Sequence, residues 1–253
     1  MTDGERAGEP VVQRRRGSGD GWHDGAMSPT SSVRPFRWSR LTYLWIALAL
    51  FAAATALGAV ILYVRGDAPF AVDVWWNTLL AQSRTESLLW VSFAMNWLGG
   101  GWFGIFGLPL IIAAALAIAR RPWALVFFLA SEVLSAGLVQ ILKHTFGRAR
   151  PEDIIVVSDF GSFPSGHVAN ATTIAVALMV LFPRLWVRIV GIAWVLLMAF
   201  SRTYLGAHWL TDTIGGALVG TGAVLVLVAV MAPRLTAEAD RRADAAALRR
   251  APA

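Results

Sequence analysis

Long apolar runs separated by short Arg-bearing joints set the character of this chain. The first, Leu41 to Val64, is 24 residues without a charge; that is enough to cross a bilayer and too long for the core of a cleaved leader. Pro69 to Gln82 mixes Asp73 with Trp75, Trp76, Leu79 and Leu80, a pattern that predicts a helix lying in the membrane interface. Ser87 to Ala119 is too long for one span and is interrupted at Gly99, Gly100 and Gly101. Its reading is a short helix over Ser87 to Leu98, a glycine hinge, and a second span from Trp102 to Ala119. Further spans are expected at Pro122 to Leu142, Val168 to Phe182, Trp186 to Tyr204 and Trp209 to Met231. The pattern therefore predicts an all-α, polytopic membrane protein with six transmembrane helices in a bundle. The fourth run is short by hydropathy, as expected of a helix whose outer end is a polar site.

Residues 1–38 are rich in Arg, Gly, Ser, Asp and Glu with no apolar period, and are expected to be a disordered tail that includes His23. Residues 39–232 form the membrane domain in this reading, and residues 233–253 a second tail with a short juxtamembrane helix and a solvated face. Taking loops alternately, Arg14 to Arg16, Arg34, Arg37, Arg40, Arg120, Arg121, Arg184, Arg188 and the Arg residues from Arg234 onward fall on one side. Because cytoplasmic loops carry the excess of Lys and Arg, both termini are expected in the cytoplasm of a cell-membrane protein.

Composition sharpens this without redirecting it. Of 253 residues, 57% are hydrophobic and 15% charged, too apolar a balance for an ordinary soluble domain of this size. Twelve Trp suit the headgroup level, where amphipathic rings collect. The net charge of +6 resides largely in Arg outside the apolar runs, and no basic helix interleaved with stacking aromatics points to nucleic acid. With no Cys, disulfides, thiolate metal sites and cysteine nucleophiles are excluded.

Three polar clusters stand at the outer ends of the third, fourth and fifth spans, where hydropathy gives no reason for them. Lys143 and Arg150 lie in the first, Pro164-Ser165-Gly166-His167 is the second, and Ser201-Arg202 with His208 and Asp212 form the third. Lys143, Arg150 and Arg202 are cations that need an anion, and phosphate suits a mixture of forked guanidinium and point-like ammonium. Ser165 at a helix N-cap, followed by Gly166, turns backbone N–H groups outward as an anion seat. His167 beside it is placed to protonate a leaving alkoxide. His208 and Asp212, four residues apart, are expected to share a helical face, with the carboxylate accepting from imidazole Nδ1 and freeing Nε2 as nucleophile. A His/Asp pair without a third ligand is a poor metal site, so neither a metal nor another cofactor is expected. His144, Arg148, Glu152 and Asp153 flank the first cluster and read as solvated loop residues.

These motifs resemble the type 2 phosphatidic acid phosphatases, whose signature is Lys-x6-Arg-Pro, Pro-Ser-Gly-His and Ser-Arg-x5-His-x3-Asp in that order. All eleven fixed positions are present between Lys143 and Asp212. The resemblance implies metal-independent hydrolysis of a lipid phosphate or diphosphate at the extracytoplasmic face through a phosphohistidine. It casts His208 as nucleophile, His167 as acid and Asp212 as orienter. Lys143, Arg150, Ser165, Gly166 and Arg202 become the phosphate holders. Phosphatidic acid, phosphatidylglycerol phosphate and undecaprenyl diphosphate all present a terminal phosphate of this kind. A vanadate-dependent haloperoxidase shares the site chemistry but is soluble, and a non-enzymatic carrier has no use for an oriented nucleophile. A phosphotransferase handing the phosphoryl group to another lipid or sugar remains the alternative.

Overall fold

The computed structural model describes residues 38–249. Apart from Trp38, the expected N-terminal tail lies outside the described residues, as do the last four residues. Eight α-helices carry the described chain, and no strand occurs among them: α1 (Arg40–Ala59), α2 (Ala71–Gln82), α3 (Glu86–Gly99), α4 (Leu108–Ile118), α5 (Pro122–Phe146), α6 (Gly166–Leu181), α7 (Leu185–Tyr204) and α8 (Leu210–Leu248). Single π-helical turns continue α1 over Val60–Val64 and precede α4 over Phe103–Gly107.

The all-α membrane architecture stands, but among the described residues length and apolarity give four helices able to cross a membrane, Arg40–Val64, Pro122–Phe146, Leu185–Tyr204 and Leu210–Leu248. A fifth arises if α3 and the segment Phe103–Ile118, bent by 52° at the glycines, count as one. The helix expected as the fourth span, α6, has only 16 residues, so six spans are not reached. It is short because its first turn belongs to a polar site rather than to the lipid. The glycine hinge lies where the sequence put it. The helix expected at Pro69 to Gln82 is α2, although its first turn is not surface: Asp73 is fully buried.

The last helix is the mast of the fold, packing against α1, α5, α6 and α7. Small residues let it approach α6 closely. A Cβ on Gly216 would meet the Ser165 carbonyl and one on Gly220 the Ala169 carbonyl, so the α6–α8 crossing depends on their having none. This crossing brings the start of α6 against the start of α8. Phe127, Phe128, Leu181, Val224 and Val228 fill the core at the other end. No separate juxtamembrane helix follows the last span, because α8 runs unbroken through Pro233 to Leu248. Nor is its polar end wholly solvated: buried Glu238 accepts from the Trp123 N–H at 2.7 Å and pairs with Arg121, tying α8 to the start of α5.

Candidate active site

Antiparallel alternation of α5, α6, α7 and α8 gathers at one end the last turn of α5, the first turn of α6, the last turn of α7 and the loop entering α8. Lys143, Gly166, His167, Arg202 and His208 line one cavity of about 710 Å³ there. Ser165 is the N-cap of α6, and its hydroxyl accepts from the Val168 N–H at 3.5 Å. That oxygen is fully buried in the cap, so Ser165 serves the anion seat chiefly by opening the helix.

The cations differ in how they are held. Arg150 donates to the carbonyls of Ala207 at 2.6 Å and Gly161 at 2.8 Å, and pairs with Asp159 at 2.7 Å. Lys143 donates to Gly161 O at 2.7 Å and pairs with the same Asp159 at 3.2 Å. The Asp159 carboxylate that both share is 62% exposed. Arg202 is 1% exposed, its Nε has no partner, and no carboxylate pairs with it among the described residues. Its NH1 donates to the side-chain oxygen of Asn96. The same Asn96 accepts through its backbone carbonyl from Nε2 of His167 at 3.2 Å. One residue of α3 thus positions a cation and a histidine of the site. A Cβ on Gly100 would fall inside the His167 imidazole, which makes the hinge glycine the floor under that ring.

His208 departs from the expected geometry. It precedes α8 rather than riding on it, so four-residue spacing does not give a shared helical face. Its Nδ1 donates to the Ser162 carbonyl at 2.8 Å, while Asp212 is 3.6 Å away. Arg150 approaches Nε2 at 3.3 Å, and since a guanidinium only donates, the imidazole proton sits on Nδ1 and the lone pair on Nε2. The tautomer is the expected one, held by a backbone carbonyl in place of the carboxylate. Burial first, then the charges of Arg202, Arg150 and Lys143, hold the His208 imidazole well below its ordinary value. Both effects favour the neutral ring.

Asp212 is occupied elsewhere. One oxygen caps α8 by accepting from the Trp209 N–H at 2.8 Å, and the other accepts from Arg148 at 2.6 Å. Arg148 is the clearest correction to the sequence reading: far from solvated, it is 1% exposed. It bridges Asp212 to Asp73 of α2 at 2.8 Å, and Asp73 also accepts from the Thr211 N–H at 2.9 Å and from its hydroxyl at 2.8 Å. Asp153 is half-buried and pairs with Arg84 at 2.5 Å, whereas His144 and Glu152 are exposed as expected. Among the described residues no group of three or more His, Asp or Glu is arranged to hold a metal.

Fold and site together define a multi-pass α-helical membrane protein with Lys143, Arg150 and Arg202 gathered beside two histidines at one end of the bundle. The chain is similar to the PAP2 superfamily, whose family model matches residues 124–235. It is 27% identical over 192 residues to an undecaprenyl-diphosphatase of Sulfolobus acidocaldarius, covering 72% of this chain and 88% of that one. It is 26% identical over 203 residues to a lipid A 1-phosphatase of Rhizobium etli, covering 74% and 82%. The crystal structure of a transmembrane PAP2-type phosphatidylglycerolphosphate phosphatase from Bacillus subtilis superposes with a TM-score of 0.61 at 28% identity, over 73% of this chain and 94% of that one.

Proposed function

We propose that this protein removes the terminal phosphate of a lipid phosphate or lipid diphosphate, at the extracytoplasmic face of the membrane and without a metal. The observation that carries this reading is Arg202: a buried guanidinium with no carboxylate partner among the described residues, beside an imidazole whose Nε2 lone pair faces a cation cluster. Leaving such a charge unpaired costs several kcal/mol, roughly, so the site is built for an incoming anion. The relatives' names supply lipid phosphates as its source.

The chemistry follows from the placement. Arg202, Lys143 and Arg150, with the amides opening α6, take the phosphate oxygens, and Asp159 gives up its hold on two of these cations. His208 Nε2 attacks phosphorus in line, forming the N–P bond as the P–O bond to the lipid breaks. His167, entering the step doubly protonated, delivers a proton to the leaving oxygen and is left neutral. Positive charge on the His208 ring is met by the Ser162 carbonyl and by Asp212 behind it. Water then attacks the phosphohistidine, His167 takes its proton, and the N–P electron pair returns to Nε2 as phosphate leaves. The three cations and the helix N-terminus supply the charge stabilisation that a metal pair gives in two-metal phosphatases.

Purified protein in detergent is expected to release phosphate from lipid phosphates with excess chelator present. Loss of that activity, restored by magnesium, would refute the metal-free mechanism. Right-side-out vesicles are expected to hydrolyse a membrane-impermeant aryl phosphate without lysis. Latency until the vesicles are opened would place the site on the other face.

A further inference from the structure

The cavity that holds the site does not end at the phosphate seat. It continues along α5 past Gln140, Val139, Ser135 and Glu132. Lys143, Val139, Ser135 and Glu132 recur at intervals of four, four and three residues, so they form one stripe of the helix. Its facing wall is apolar, built by Ile105, Phe106, Pro109 and Leu110 around the α4 bend. A wall of this kind suits a hydrocarbon chain, and against it the two polar residues are anomalous.

Ser135 is 2% exposed and, among the described residues, its hydroxyl has no hydrogen-bond partner. This is unusual in an apolar helix, where serine ordinarily donates to the carbonyl one turn back, as Ser131 does to Phe127 at 2.8 Å. One Glu132 carboxyl oxygen is likewise buried without a partner. Two orphaned polar groups three residues apart, lining one cavity within a membrane span, are costly unless a ligand satisfies them. By helical rise they lie about 12 and 16 Å along α5 from Lys143.

We propose that Ser135 and Glu132 form a second, polar subsite in the lipid channel, which reads a hydroxyl or amide group carried by the substrate below its phosphate. The serine hydroxyl donates to an oxygen of that group, and the glutamate accepts its O–H or N–H. The preferred substrate class is then an acyl lipid phosphate with a hydroxylated or amide-linked chain, rather than an isoprenyl diphosphate that is pure hydrocarbon below the phosphates. This rests on the phosphatase reading above.

The test is a ratio measured within each enzyme. Two synthetic lipid monophosphates, one with a hydroxylated, amide-linked acyl chain and its plain counterpart with an unsubstituted, ester-linked chain, are assayed for kcat/KM, with an isoprenyl diphosphate as a third arm. Wild type is expected to prefer the hydroxylated lipid over its plain counterpart by about tenfold, the usual worth of one hydrogen bond to a buried partner. Glu132→Met and Ser135→Ala are each expected to shrink that ratio and to raise relative turnover of the isoprenyl substrate. Absence of a preference in wild type, or an unchanged ratio in both variants, overturns the subsite. Failure of wild type to release phosphate from any of the three would instead strike the phosphatase reading.

Discussion

His208 and His167 have the same side chain and different neighbours, and those neighbours divide their labour. His208 has its Nδ1 proton fixed on Ser162 and its Nε2 lone pair among cations. His167 gives its Nε2 proton to the Asn96 carbonyl, at the cavity wall. An acid matters in proportion to how badly the leaving group needs a proton. His167→Ala is therefore expected to lower turnover of a lipid monoester about 100-fold or more, and of an aryl phosphate with a good leaving group much less. An equal loss on both substrates would remove the acid assignment. The depressed His208 value has a consequence of its own sign: the proposed nucleophile stays neutral as pH falls, so the acid limb of the kcat/KM profile is expected below the ordinary histidine value of about 6.5. A limb at or above it, in a profile taken with an aryl phosphate, would contradict this.

Residues that recur in fixed spacing at helix ends were legible in the sequence: Lys143, Arg150, Ser165, Gly166, His167, Arg202 and His208 all reach one end of the bundle. Arg148, Asp73 and Asn96 were not. Arg148 pairs with residues 64 and 75 positions away. Nothing in its local sequence separates it from a loop cation. The backbone oxygen of Ser162, which orients His208, has no side-chain signature at all.

At the scale of elements, α2 has more to do than lie at the interface. Asp73 in its first turn fixes Arg148 and the start of α8 through Thr211, so α2 is fastened to the strut behind His208. Asp73→Ala leaves Arg148 with one carboxylate in a fully buried place. Breaking one partner from a buried pair costs about 3–5 kcal/mol. The variant is expected to lose thermal stability in detergent and to fall in kcat, and Asp73→Asn, which still accepts from Thr211, to fall less. Equal stability of Asp73→Ala and wild type would show the strut to be dispensable. The amphipathic pattern predicted this helix but not its anchor, because a lone Asp among Trp and Leu looks the same facing water or facing an arginine. The α3–α4 bend was legible from three consecutive glycines. The unbroken α8 was not, since Pro233 ordinarily signals a stop and persists here within a helix packed on both sides of it, by Met231 and Leu235.

For the whole molecule, the bundle places cations, a helix N-terminus and two histidines at one end of a cavity whose other end runs between apolar helices. In the proposed reading this arrangement holds a phosphate at the surface while its lipid stays in the bilayer, and the central claim is that the phosphoryl group then passes through His208. Rapid acid quench of the protein with substrate labelled in its terminal phosphate measures this directly. Wild type is expected to trap label on the protein, and His208→Ala to trap none and to turn over no substrate. Label on the His208→Ala protein, or turnover by it, would contradict the account.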